Sequence, residues 1–179
     1  MKTFTPPEFE EFLGDIAAGA IYKAEWWGDG WSTRQRPSDD DLHNRFLADK
    51  VAEVFSEGDG QTLLEVTGWS ILQSYDNRKI FLGYRRLLGE SRPLIEARAH
   101  LFAAHEIEDV RNLFNLGLMF LYDIKLMNLK TGIRVSISHH DGFDFRLSSA
   151  WQTAFENFFD GETVYWPIAS DSGPVLASV

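Results

Sequence analysis

The sequence predicts an α+β domain: a small antiparallel sheet, built on a three-stranded meander near residues 119–147, packed with four to five helices. Three observations lead there. Apolar residues recur at helical spacing in several segments, and the period drops to two from about Phe120 onward. Asp141-Gly142 then marks a tight hairpin between two alternating runs. A chain of 179 residues can bury a sizeable core as one domain, and 44% hydrophobic residues with 14 Phe and 6 Trp exclude a disordered chain.

The first helix, 6–18, is signalled by Thr5 as cap, Pro6 at the first helical position and Glu8 completing a capping box. Phe9, Phe12, Leu13 and Ile16 give its apolar face, and Gly19 ends it. Residues 21–27 read as a strand that runs into Gly28-Asp29-Gly30 and Trp31, and polar residues 32–38 read as a loop. A second helix, 38–56, starts with Asp39, Asp40 and Asp41, where the helix dipole favours negative charge. Residues 62–73 suit a strand broken at Gly68. Residues 77–88 fit a helix capped by Asp76, with Ile80, Phe81, Tyr84, Leu87 and Leu88 as its apolar set. A period-two strand reading stays open and Gly83 weighs against the helix, which is the reading chosen.

The segment from Pro93 to His105 reads as irregular. A helix at 106–118 follows, with Glu106, Glu108 and Asp109 in its first turn. Phe120, Tyr122, Ile124 and Leu126 then alternate with Asp123 and Lys125. Ile133, Val135 and Ile137 alternate with Arg134, Ser136 and Ser138, and Phe143, Phe145 and Leu147 with Asp144 and Arg146. Ser149 and Gln152 open a last helix, 149–159, and the tail from about residue 167 is expected to fray. The whole chain, 1–179, reads as one domain.

Net charge is −10, unevenly spread. Residues 1–60 carry 13 acids and 6 bases, residues 61–147 carry 10 and 11, and residues 148–179 carry 4 and none. This balance argues against nucleic acid as a partner and for a basic protein. The two acidic ends are expected to join in one acidic surface. No run is long and apolar enough to span a bilayer, the N-terminus lacks the apolar stretch of a secretion signal, and there is no cysteine. A cytoplasmic protein without membrane association is expected.

Candidate site residues fall into four groups. His139, His140 and Asp141 at the hairpin could support acid–base chemistry, since imidazole titrates near neutrality. Adjacent strand residues face opposite ways, so His139 and His140 do not chelate one metal unless the strand ends between them, and parity points His139 inward as a core-edge residue. His105 lies one turn from Glu108 and Asp109, but acids in a first turn are accounted for by capping. Arg85 and Arg86, within a stretch that includes Arg78, Lys79, Arg92 and Arg98, could clamp an anionic ligand, or pair with the acids of the same chain. Trp27 and Trp31 beside an acidic turn could form a protein-binding spot, with Asp39, Asp40 and Asp41 contributing charge, although core packing also explains tryptophan there.

There is no dinucleotide fingerprint, Walker loop or nucleophile elbow, and neither a cofactor nor a metal is expected. The leading expectation is a non-enzymatic, immunity-like interaction domain that binds a basic partner. It rests on analogy of charge with bacterial immunity proteins. A small hydrolase or metal-dependent enzyme at His139/His140, and an anion-binding module at Arg85/Arg86, are the alternatives.

Overall fold

The computed structural model describes residues 1–15, 31–33, 41–57, 59–68, 75–139, 142–147, 149–158 and 163–165, the two short strands among them by backbone alone. Eight strands occur: β1 (Lys2–Phe4), β2 (Trp31–Thr33), β3 (Thr62–Gly68), β4 (Ala99–Phe102), β5 (Asp123–Asn128), β6 (Arg134–Ser138), β7 (Gly142–Arg146) and β8 (Thr163–Tyr165). They form one antiparallel sheet in the order β1-β4-β3-β5-β6-β7-β2-β8. The expected meander is its centre, β5-β6-β7. The helices are α1 (Pro6–Asp15), α2 (Asp41–Ser56), α3 (Tyr75–Leu87), α4 (Ile107–Met119) and α5 (Ser149–Phe158).

Side-chain alternation gives the sheet two differently covered faces. Leu64, Leu126, Val135 and Phe145 lie in register on one face, as do Val66, Ile124, Ile137 and Phe143. There they join Leu47, Val51, Phe55, Phe81, Leu113, Phe114 and Phe155 in the main core. α4 packs against both α2 and α3. Leu63, Leu101 and Met127 face the other way, where Phe4, Phe9 and Leu13 bring α1 down on them. Glu8 makes its half of the expected capping box: its carboxylate accepts from both the backbone N–H and the hydroxyl of Thr5 at 2.7 Å. The hydroxyl donates here, where the full box has it accept from the Glu8 N–H.

Several readings change. The irregular stretch after Pro93 contains β4, whose four residues are all buried. A strand covered on both faces shows no alternation, and four residues are too few for a periodic signal. β1 is shorter still. Ser32 and Thr33, read as loop, belong to β2, with Ser32 opposite both Asp144 and Val164. Residues 75–87 are helical as expected, but Asp76 lies inside the first turn, and Ile80 and Leu87 face solvent where core contacts were expected. Arg134, expected on an outward face, is buried. The expected strand at 21–27 and the tail from 167 lie outside the described residues, as do the outer ends of the first two helices. Among the described residues no helix is long and apolar enough to cross a membrane.

α4 lies so close on β5 that a Cβ on Gly117 would sit 1.9 Å from Cδ1 of Ile124. A Cβ on Gly83, inside α3, would meet nothing within 4 Å. Alanine at the two sites is therefore expected to act in opposite directions. Gly117→Ala should cost about 1–3 kcal/mol through overpacking. Gly83→Ala should add about 0.5–1 kcal/mol through helix propensity. Thermal melting of the two variants checks this.

Candidate functional site

At the hairpin, strand β6 stops at Ser138 and the chain turns. The imidazole of His139 therefore does not continue the inward row of Val135 and Ile137. It pairs instead with Asp123 at the start of β5. One carboxylate oxygen, Oδ1, accepts the His139 backbone N–H at 2.8 Å and contacts Nδ1 at 2.6 Å. Both side chains are partly accessible, at 19% and 24%.

Gly68, opposite Asp123 in the sheet, leaves room for this carboxylate: a Cβ there would lie 2.4 Å from Oδ2. The pairing selects the Nδ1–H tautomer and places the basic lone pair on Nε2, the orientation of a general base. Asp123 was read only as an outward strand residue. Its role depends on the β3–β5–β6 register, which one sequence does not display. His140 and Asp141 lie outside the described residues. Asp123→Ala should lower stability by about 1–2 kcal/mol, because a backbone N–H loses its acceptor together with the ring. His139→Ala should cost less than ~1 kcal/mol, since that backbone bond survives. Equal losses in thermal melts would contradict the arrangement.

Arg85 and Arg86 do not form a clamp. Arg86 is exposed, whereas Arg85 is fully buried. Its guanidinium donates from Nε to Nε2 of His100 at 2.9 Å, from Nη1 to the carbonyl of Arg92 at 2.9 Å, and from Nη2 to the carbonyl of Ala97. The fork thus holds the α3–β4 connection against the sheet. Burial lowers the Arg85 pKa to about 10, leaving it charged at neutral pH. His100 must stay neutral to accept from it. Burial, and then the Arg85 charge, push His100 down to about 3.

Beside this centre the Glu90 carboxylate receives the Arg92 guanidinium at 2.6 Å, the Arg92 backbone N–H at 2.7 Å and the Thr3 hydroxyl. These bonds, Arg92 foremost, lower it to about 2. Arg98 pairs with Glu65 at 3.0 Å. The basic stretch thus splits three ways: Arg85 is buried, half-exposed Arg92 and Arg98 pair with the buried carboxylates of Glu90 and Glu65, and Arg78, Lys79 and Arg86 are exposed. Neither His100 nor Glu90 stood out in the sequence, because each becomes meaningful only beside a buried arginine.

The acidic residues also divide. Glu8, Glu10, Glu11 and Asp15 are exposed on α1, which covers the reverse face of the sheet. Asp41, Asp49, Glu53 and Glu57 lie along α2 and its end, on the main face. The described acids of residues 1–60 thus fall in two regions with the sheet between them, and the side chains of the four acids in 148–179, expected to join them in one surface, lie outside the described residues. Of the other expected binding residues, Asp41 begins α2, Trp31 lies in β2, and Trp27, Asp39 and Asp40 fall outside the described residues. Near the start of α2, Leu42 is 75% exposed and Phe46, one turn later, 51%. Phe46 also borders a largely apolar groove of about 230 Å³, lined further by Lys50, Ala154, Phe155 and Asn157. Trp151 of α5 donates to Glu57 at 2.6 Å and ties the two helices together. The sequence hid this face because Leu42 and Phe46 sit within an ordinary amphipathic pattern.

Among the described residues, no three His, Asp or Glu side chains converge as metal donors. No family model matches the chain, and no curated protein or solved structure shows similarity to it.

Proposed function

We propose that this protein is a non-enzymatic binding domain that takes a basic protein partner on the face formed by α2 and α5. The carrying observation is the pair Leu42 and Phe46, exposed on successive turns beside an apolar groove, on a helix that also exposes Asp41, Asp49, Glu53 and Glu57. Three of these acids have partners at the surface: Asp49 with Arg111 at 3.2 Å, Glu53 with Lys50 at 2.8 Å and Glu57 with Trp151 at 2.6 Å. Protein interfaces are built this way, with a few large apolar anchors at the centre and a polar rim that excludes water. A carboxylate rim gives charge complementarity to a cationic surface and speeds encounter with it. The four carboxylates of α1 lack such anchors and contribute only to the long-range field. Masking a basic partner is what immunity proteins do, and the comparison is one of charge, not of fold.

The experiment is capture from native lysate at low salt, with wild-type protein and Phe46→Asp in parallel. Wild type should retain basic proteins that wash off as salt rises. Phe46→Asp, a change at an exposed position, should weaken retention by about tenfold or more, since truncating an interface anchor costs about 2 kcal/mol or above.

A second reading, a hydrolase centred on His139, is favoured by the 2.6 Å contact with Asp123. It requires turnover that survives Phe46→Asp and disappears in His139→Ala. That outcome, with no basic protein retained, would replace the binding reading.

A further inference from the structure

We infer that the outward face of α3 is a second docking surface, and that its occupant is an acidic amphipathic helix of another protein. Leu87 is 82% exposed and Ile80 53%, and the two lie seven residues apart on one stripe of the helix. Buried Phe81 and Arg85 define the opposite side, so these residues do not spill over from the core. Between them lies Gly83, whose missing side chain leaves open space.

Ile80, Gly83, Tyr84 and Leu87 stand at i, i+3, i+4 and i+7. That is the set that forms the hole for one knob of a facing helix. The Tyr84 ring is fixed in place, its hydroxyl donating to Asp109 and accepting from Asn112, each at 2.9 Å. The hole is therefore preformed, with a floor at Gly83 that suits a large apolar knob.

The flank sets the partner's charge. With Ile80 and Leu87 at core positions of a heptad, Lys79 and Arg86 occupy the preceding position in each repeat, where coiled coils place the charges that choose partners. Both are solvent-facing cations, Lys79 lying 4.0 Å over the Tyr75 ring. Among the described residues Lys79 pairs with the 84% exposed Asp76 at 3.8 Å, a weak surface pair. A facing helix therefore needs acidic residues along its own flank.

The α3 helix of a second copy does not fit. Parallel pairing would set Gly83 against Gly83 and leave the hole empty. Antiparallel pairing would bring Lys79 and Arg86 against their counterparts. Nor does α1 of a second copy suit, since the large apolar residues of that helix are turned into the protein. The remaining self-pairing is with α2 of a second copy, which exposes Leu42 and Phe46 among carboxylates. Concentration-dependent self-association abolished by Gly83→Leu would overturn the inference. An anionic membrane is disfavoured because the chain carries a net charge of −10.

The test uses the full chain and a synthetic three-heptad helix with Leu at core positions and Glu on the flanks, followed by fluorescence anisotropy at concentrations where the peptide is monomeric. A Lys-flanked peptide and phosphatidylserine vesicles run beside it. Binding of the Glu peptide alone is expected. It should weaken about tenfold in Lys79→Glu/Arg86→Glu and in Gly83→Leu. The glycine variant fills the hole without altering charge, and the open space at Gly83 lets the fold accept it, which circular dichroism verifies. Equal binding of both peptides, no binding of either, insensitivity to Gly83→Leu, or binding to vesicles in place of the Glu peptide would each overturn the inference. Phe46→Asp should leave this binding unchanged, so the two faces are tested separately.

Discussion

Replacing Arg85 by leucine should lower stability by about 3–5 kcal/mol, the range for removing one partner of a buried charged network. Three acceptors lose their donors together: Nε2 of His100 and the carbonyls of Arg92 and Ala97. A buried acceptor without a donor costs about 1–3 kcal/mol, and leucine fills only part of the vacated volume. For a domain of this size the melting temperature should fall by roughly 10 °C or more. Arg85→Lys should recover little, because an ammonium group cannot reproduce the planar fork that spans the three acceptors. A melting point within a few degrees of wild type for Arg85→Leu would show that the centre is not needed to hold the 88–98 connection.

Acid should destabilise the protein in two stages. In the folded state His100 has its pKa lowered from 6.5 to about 3, so between those values the unfolded chain binds a proton that the folded chain does not. The contribution of His100 is therefore complete above pH 6.5 and is lost as pH falls toward 3. At ~1.4 kcal/mol per unit of pKa difference this amounts to several kcal/mol. Glu90, lowered from 4.5 to about 2, adds a loss in the same direction below pH 4.5. His100→Gln keeps an acceptor for Arg85 but cannot titrate. It should melt at nearly constant temperature between pH 6.5 and 4.5, while wild type declines steadily there. Identical acid limbs for the two proteins would remove His100 as the cause.

What was legible in the chain is what periodicity records. The meander within 119–147 follows from apolar spacing and the Thr5–Glu8 contact at the start of α1 from local chemistry, whereas the spacing of 77–88 suits a strand as well as a helix. β1 and β4 escaped because they are short, and β4 lies covered on both sides. The candidate sites were less legible, for a physical reason: a side chain's role depends on its neighbours across the sheet. His139 was recognisable as a chemical group, but its partner Asp123 comes from another strand. Arg85 and Arg86 looked equivalent in sequence, yet helix geometry sends one into the core and the other to solvent. Ile80 and Leu87 read as core material, and nothing in the sequence singled out Leu42 or Phe46. Only packing shows which apolar positions the fold leaves uncovered.

The claim that α2 and α5 form the binding face is tested most directly by hydrogen–deuterium exchange on the protein with and without its captured basic partner. Slowed exchange is predicted at 41–57 and 149–158, with the 123–139 region unchanged. Protection centred on Asp123 and His139, with α2 and α5 unaffected, would contradict it.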